Sequence, residues 1–250
     1  MGYGLGMCGR FAQVFTEKDV SRIEEILLAA VGGLGGTDDL LLDSFNGSYN
    51  IAPTQEAVIG RAIDGDRRID RARFGLVPSW AKDRSGLATM NNARIETVTE
   101  KPAYRGLVGT RRCVVPVSGF YEWETVAGAR FKQPWYVTRV DEDPMMLAGL
   151  WDRWAGGGEV IDSFTLLTRE ASGFMASMHH RMPVVLEGDG ALGWMGMEIG
   201  VGDLEVCEGV LGGKRVSRRV NSVGAGHDDA GLIDEVNEGE IEGEGTLWGG

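Results

Sequence analysis

Ala57-Val58-Ile59-Gly60-Arg61-Ala62-Ile63-Asp64-Gly65-Asp66, running on through Ile69 to Phe74, decides the fold class. Residues 57–63 and 69–74 are rich in β-branched and apolar side chains, and between them lies Asp64-Gly65-Asp66. Asp-Gly supplies the positive-φ backbone of a tight hairpin turn, so the stretch reads as two antiparallel strands. The same signals recur outward. They predict strands at Cys8–Val14, Cys113–Val117, Phe120–Glu124, Trp135–Arg139, Met145–Trp151, Phe164–Thr168 and Val184–Leu186.

Helices are fewer and short. Thr16 with Asp19 forms a capping-box pattern, and Val20, Ile23, Ile26 and Leu27 follow at helical spacing to about Ala30. Further short helices are predicted at Glu100–Gly106, Ala171–Met178, Ala191–Met197 and Asp203–Leu211. Gly32–Ser48 reads as a loop with one apolar segment, Leu40–Leu42. The pattern is α+β: a compact, mostly antiparallel sheet structure with a few short helices. The 39 glycines in 250 residues, about twice the ordinary usage of ~7%, fit a fold with many turns.

The net charge of −12 argues against a generally basic nucleic-acid binder, but the charge is uneven. Arg61–Arg112 carries twelve Lys or Arg against six Asp or Glu. Asp228–Glu244 carries eight acids and no Lys or Arg, so without it the balance is −4. The basic stretch reads either as a mixed solvated surface or as a local field that a phosphate backbone would feel. After Val223, Gly and acidic residues dominate, and 223–250 is expected to be a disordered tail.

Cys8, Cys113 and Cys207 are the three cysteines. None forms a CxxC pair, so neither a zinc ribbon nor a disulfide framework is indicated. The odd count suits a reducing cytoplasm, and the expected location is cytoplasmic. Met1–Gly6 lacks the features of a secretory signal. No run reaches the ~20 apolar residues of a membrane span.

Four clusters can carry chemistry. In Met7-Cys8-Gly9-Arg10, starting the chain at Met7 and removing it would leave Cys8 with a thiol and an α-amine on neighbouring carbons. Their reference pKa values, ~8.5 and ~7.7–8.0, leave usable thiolate and neutral amine near pH 7. Such a pair condenses with an aldehyde, first to an imine and then to a thiazolidine. The bland alternative is a buried apolar cysteine at a strand start. The second cluster, Asn91-Asn92-Ala93-Arg94-Ile95-Glu96-Thr97, combines an amide, a guanidinium and a carboxylate, as a polar turn also would. In the third, Pro116 to Trp123, strand alternation puts Phe120 and Glu122 on one face, where a desolvated carboxyl could move protons; an outward glutamate is the other reading. The fourth is Met178-His179-His180-Arg181-Met182-Pro183. A neutral histidine there suits acid–base work, while adjacent histidines point apart and do not suit zinc. A hydrogen-bonded structural histidine fits equally well.

In order and spacing these clusters resemble the SRAP family, the SOS-response-associated peptidases now viewed as abasic-site shields. The matching stretches are Met7–Phe11, Tyr49–Thr54, Phe74–Trp80, Asn92–Thr97, Arg112 through Trp123, Phe164–Thr168 and His179–Leu186, with Val216 to Asn221 closing. The resemblance implies that Cys8 is the nucleophile of a thiazolidine with the ring-opened abasic sugar. It also implies that Asn92 lies beside the linkage, that Glu122 assists proton transfer, and that His179 is the active-site histidine with Thr168 eleven residues upstream. Arg10 and Arg94 then resemble phosphate-contacting residues, Pro53 and Trp80 groups that support unpaired bases, and Thr168 is likewise expected at the DNA. One departure is Ala81, where family members often carry a second aromatic.

The expectation is therefore a leader at 1–6 absent from the mature protein, an SRAP-like domain at 7–222, and the tail. The function expected is capture of abasic sites in single-stranded DNA by a monomer, with lyase or self-processing peptidase side reactions and no cofactor or metal. The alternatives are a cysteine peptidase acting on its own leader through Cys8 and His179, and a non-catalytic single-strand binding module.

Overall fold

The Asp-Gly hairpin closes with Asp64 at φ 53° and Gly65 at φ 90°, the backbone that a two-residue turn of this hand requires. It joins β3 (Glu56–Ile63) to β4 (Asp66–Phe74), paired from Glu56↔Arg73 to Ile63↔Asp66. A computed structural model describes residues 9–28, 47–82, 90–187, 189–205, 209–222 and 228–237. The expected segment Leu40–Leu42, together with Cys8 and Cys207, lies outside the described residues.

The strands, in chain order, begin with β1 (Arg10–Gln13), β2 (Ser48–Ile51), β3, β4 and β5 (Asn92–Arg94). They continue with β6 (Arg112–Val117), β7 (Gly119–Glu124), β8 (Gln133–Arg139), β9 (Met145–Gly156) and β10 (Glu159–Glu170). β11 (Arg181–Pro183), β12 (Val185–Leu186) and β13 (Leu211–Arg215) complete the set. One sheet has the order β13-β8-β7-β1-β2. The other runs β11-β10-β4-β3-β6-β9-β12, with β5 beside β10. Its β10 also pairs with β9, so β10, β4, β3, β6 and β9 close on themselves. Among these pairings only β10 with β4 and β10 with β5 are parallel.

Strand alternation divides the core in two. Ile59, Phe74, Val115, Leu147 and Phe164 turn towards the five-stranded sheet and meet Phe11, Phe120 and Val137. Phe74 stacks on Phe164 at 5.3 Å and takes the edge of Phe11 at 5.1 Å. Val58, Val114, Ala148 and Leu167 turn the other way, onto α1 (Glu17–Leu28) and α3 (Gly190–Met195). β6 is covered on both faces, which is why it reads as a continuous apolar run.

The predicted capping box starts α1: Asp19 N donates to Thr16 Oγ1 (3.3 Å) and Thr16 N donates to Asp19 Oδ2 (2.9 Å). Val20, Ile23 and Leu27 are its buried stripe. Leu27 needs Gly60 beneath it, since a Cβ there would lie 2.8 Å from its methyl.

Several expectations change. Glu100–Gly106 is not a regular helix. Residues 95–110 form successive turns, with Lys101 N to Thr97 O, Arg105 N to Lys101 O and Val108 N to Tyr104 O. Pro102, Gly106 and Gly109 interrupt any longer ladder. The described residues of Asp203–Leu211 are not helical either: a 3-10 turn at Val201–Asp203 gives way to extended Leu204, and Leu211 opens β13, while 206–208 lie outside the described residues. Ala171–Met178 shortens to a single turn, α2 (Gly173–Ala176). Within the acidic segment read as a tail, residues 228–237 pack on the fold: Leu232 is fully buried in a 3-10 turn, and Val216 bridges to Glu235.

Part of the basic stretch Arg61–Arg112 serves the fold, while Arg68, Arg71, Lys82, Arg94, Lys101 and Arg105 are exposed. Arg61 is buried between Asp70 (2.8 Å) and Asp162 (2.7 Å), with its guanidinium 4.4 Å from the Trp151 ring centroid. Arg111 pairs with Asp152, and Arg112 binds the Val108, Trp194 and Ile199 carbonyls. These guanidiniums hold strands together.

Candidate active site

β5 is three residues long, and its position is set by β10. Leu166 N donates to Asn91 O and Ile95 N to Thr168 O, placing Asn92 beside Leu166 and Arg94 beside Thr168. Asn92 is half-buried and Arg94 exposed. On the other side of β10, β11 pairs Thr168 with Pro183 and Glu170 with Arg181. The Asn92 and Arg94 cluster and the histidine cluster therefore meet across one strand.

Arg181 is the hub that sequence reasoning left out. Its guanidinium grips Glu96 at both ends, Nη1–Oε1 2.5 Å and Nη2–Oε2 2.8 Å, and Nη2 also donates to Thr168 O at 2.7 Å. Arg181 is 8% exposed, and its buried Nε finds no hydrogen-bond partner. The hydrogen bond from Arg181 holds the Glu96 carboxyl below the usual carboxylate range, against the opposing effect of partial burial. That contribution to stability is present above the ordinary glutamate range and is lost as pH falls through the lowered value. The only sequence signal was a glutamate inside the second cluster and an arginine inside the fourth, neither given a role. Thr168, expected at the DNA, is fully buried and joins β10 to Arg181.

His179 follows α2. Its N–H donates to Met175 O (2.9 Å), its Nδ1 accepts from Arg181 N (3.1 Å), and its ring stacks on His180 at 4.3 Å. A neutral His179 thus carries its proton on Nε2. Burial, then the neighbouring charges of His180 and Lys132, lower its pKa.

Glu122 lies on β7 and is 3% exposed. It shares a face with Phe120, as predicted, and so looks towards the space between the sheets. β8 sets Trp135 directly across from it. The Trp135 ring takes the edge of Phe174 at 5.7 Å, and Phe174 lies on α2, five residues before His179. β7 and the histidine segment are linked through this aromatic pair.

Cys8 is outside the described residues, but its neighbour Gly9 is buried. β1 then pairs with β7 in the register Arg10↔Tyr121. Arg10, expected at phosphate, is buried instead. Its guanidinium donates to Val220 O and to Asn221 O (2.8 Å), with Asn50 Oδ1 at 3.4 Å. It clamps β1 to the closing segment, and burial lowers its pKa.

Pro53 follows β2, whose Ile51 pairs with Phe11 on β1, whereas Trp80 stands apart. Gln55 N donates to Ala52 O around Pro53 and Thr54, whose φ is 79°, a turn tied to Phe74 by Thr54 N to Phe74 O. Trp80 is 62% exposed. Its loop is anchored by Val77 N to Ser163 Oγ, Ser79 N to Asp152 Oδ2 and Trp154 Nε1 to Ala81 O. Ser163 is five strand residues from Thr168, a separation of roughly 16 Å at about 3.3 Å per residue. Cys113 is fully buried and its thiol pushed far up by desolvation, so it is structural. Among the described residues no group of three His, Cys, Asp or Glu is placed to hold a metal, and no helix is long and apolar enough to cross a membrane.

Fold and site define a two-sheet α+β protein that gathers an amide, an Arg–Glu pair and an imidazole of lowered basicity around one sheet end, near a buried glutamate. The chain belongs to the SOS response associated peptidase (SRAP) family, whose model matches residues 7–223. It is 37% identical over 191 residues to the abasic site processing protein YoaM of Bacillus subtilis, covering 76% of this chain and 79% of that one. It is 32% identical over 181 residues to the abasic site processing protein HMCES of Xenopus tropicalis, covering 60% of this chain and 53% of the relative. Among solved structures, a Bacteroides thetaiotaomicron protein shares the fold with a TM-score of 0.74 at 20% identity, over 91% of this chain and all of that one.

Proposed function

We propose that this protein processes abasic sites in single-stranded DNA by covalent capture on Cys8. The observation that carries the reading is the β1–β7 register. It brings the strand that follows Cys8 alongside the buried Glu122 strand, while relatives of this chain are named abasic site processing proteins.

The chemistry needs a Cys8 α-amine. The amine attacks the C1′ aldehyde of the opened sugar, and loss of one water gives an imine. Glu122 delivers and recovers the protons of this step. The Cys8 thiolate then adds to the imine carbon, and the nitrogen takes a proton, leaving a thiazolidine. His179, neutral near pH 7, assists sugar ring opening, and Asn92 holds the product through its amide. Arg94, exposed on β5, meets the backbone phosphate. If the imine forms without ring closure, β-elimination cleaves the strand, which is a lyase outcome. Removal of residues before Cys8 is the place for a peptidase activity, and the protein works as a monomer.

The test is the intact mass of the protein before and after incubation with single-stranded DNA bearing one abasic site. The expected result is a chain beginning at Cys8 and a heat-stable one-to-one adduct, absent in Cys8→Ala. A stable adduct in Cys8→Ala would overturn the mechanism.

A further inference from the structure

Outside the site described above, the feature that stands out is the long connection between β7 and β8. Residues 125–132, Thr-Val-Ala-Gly-Ala-Arg-Phe-Lys, carry two basic residues, one aromatic and no acid. Phe131 is 51% exposed, in a position where an apolar ring gains nothing from the core. It is not an isolated surface residue: the Arg130 guanidinium lies 5.0 Å and that of Arg218 5.2 Å from its ring centroid. Both are within reach of a cation–π contact. Arg130 and Lys132 are exposed, whereas Arg218 is half-buried in a 3-10 turn, fixed next to Arg219, which pairs with Asp229.

The patch adjoins the catalytic residues. Gln133 and Pro134 lead directly into Trp135, which lies across from Glu122 and under the Arg215 guanidinium at 5.3 Å. Lys132 is near enough for its charge to bear on His179. Three basic residues gathered here, beside a Glu124 held by Trp135 and Arg215 and an Asp229 held by Arg219, favour a polyanion at this spot on a chain whose net charge is −12. An exposed ring flanked by guanidiniums has the two parts that bind single strands without sequence preference: a stacking platform and phosphate neutralisation.

We infer that the β7–β8 connection is a second DNA subsite, where Phe131, held by Arg218, stacks a base of the single strand flanking the lesion and Arg130 and Lys132 meet its phosphates. This deepens the proposed function and rests on it for the identity of the strand. On binding, the exposed Arg130 exchanges its ring contact for a phosphate, while Arg218 stays to hold the ring. The subsite acts on affinity and not on the covalent step, because none of its residues touches the reacting atoms.

The test uses the full chain and two fluorescent oligothymidylates with one central abasic analogue that cannot react. One covers only the lesion and its immediate neighbours, and the other extends several nucleotides on both sides. Wild type is expected to bind the longer strand more tightly. Phe131→Ala should remove about tenfold of that gain, Phe131→Trp should restore it, and the short strand should bind all three alike. Arg130→Gln should lower the salt dependence of the longer strand's binding. Adduct yield with a reactive abasic strand is measured in parallel. Adduct formation with a length-dependent gain that survives in Phe131→Ala overturns the subsite and leaves the crosslinking reading intact. Phe131-dependent affinity without any adduct sustains the subsite and overturns the crosslinking reading. Equal binding of both lengths by wild type overturns the subsite.

Discussion

The N–H of Arg181 donating to Nδ1 fixes which nitrogen of His179 exchanges protons, and the lowered pKa fixes when. Burial disfavours the imidazolium, and a charged His180 stacked at 4.3 Å disfavours it further. His179 therefore remains neutral at pH values below the ordinary histidine range of about 6.5. Protonation of the Cys8 amine and thiolate already slows the reaction as pH falls through about 8.5 to 7.7, so a neutral His179 that serves the reaction shows as a further fall on the acid side of about 6.5. His180→Gln removes a positive neighbour, so His179 takes up its proton at higher pH and the acid limb moves upward. Rates of adduct formation across pH, for wild type and variant, check this; a limb that does not move would remove His179 from the titrating role. Sequence put both histidines in one cluster and only the family resemblance singled out His179; that His179 is half-buried and His180 exposed depends on the fold.

At the level of elements, β9 is the strand on which the larger sheet turns. Gly149 sits opposite Cys113 on β6 and Leu166 on β10. A Cβ there would come within 2.8 Å of the Cys113 sulfur and 2.9 Å of the Thr165 carbonyl oxygen. Neither neighbour can retreat: one is buried in the core and the other is backbone in a paired strand. Gly149→Ala should cost about 2 kcal/mol, in the range of core overpacking, and lower the urea midpoint with little change in slope. An unchanged midpoint would mean that β6, β9 and β10 do not meet in this register. The long strands were legible because they alternate or run continuously apolar, as β3, β6 and β9 do. β5 was not, because three residues with two polar side chains carry no period, and only β10 makes them a strand. β13 was missed for a related reason. Leu211-Gly212-Gly213-Lys214-Arg215 has almost no strand propensity, and its place comes from pairing with β8.

Across the whole molecule, composition misplaced part of the charge. Of the basic middle of the chain, Arg61 and Arg111 pair with Asp70, Asp152 and Asp162 and Arg112 is buried, while Arg68, Arg71, Lys82, Arg94, Lys101 and Arg105 stay exposed, and the acidic end is partly folded. Local counting could not see this, because Arg61 and Asp162 are a hundred residues apart in sequence and meet only through the sheet. The acidic segment has a definite seat. Asp229 pairs with Arg219, Val236 N donates to Arg215 O (3.0 Å), Ile233 packs against the cluster of Trp123, Val216 and Val220, and Leu232 beside it is fully buried. The same closing segment supplies the Val220 and Asn221 carbonyls that hold Arg10, and the Asn221 side chain that accepts from Trp123 Nε1 (2.8 Å). The surface ion pair contributes little, so the apolar seat carries most of the docking. Leu232→Ala should then cost about 2 kcal/mol, at the lower end for a buried leucine because a peripheral segment can settle into the space. It should leave adduct yield unchanged below the unfolding transition, since Arg10 and Asn50 hold Val220 independently of Leu232. Urea unfolding and adduct yield on the same preparations test both halves. A variant as stable as wild type would mean that residues 228–237 do not dock. A stable variant with lost yield would mean that this segment serves the site and not the fold.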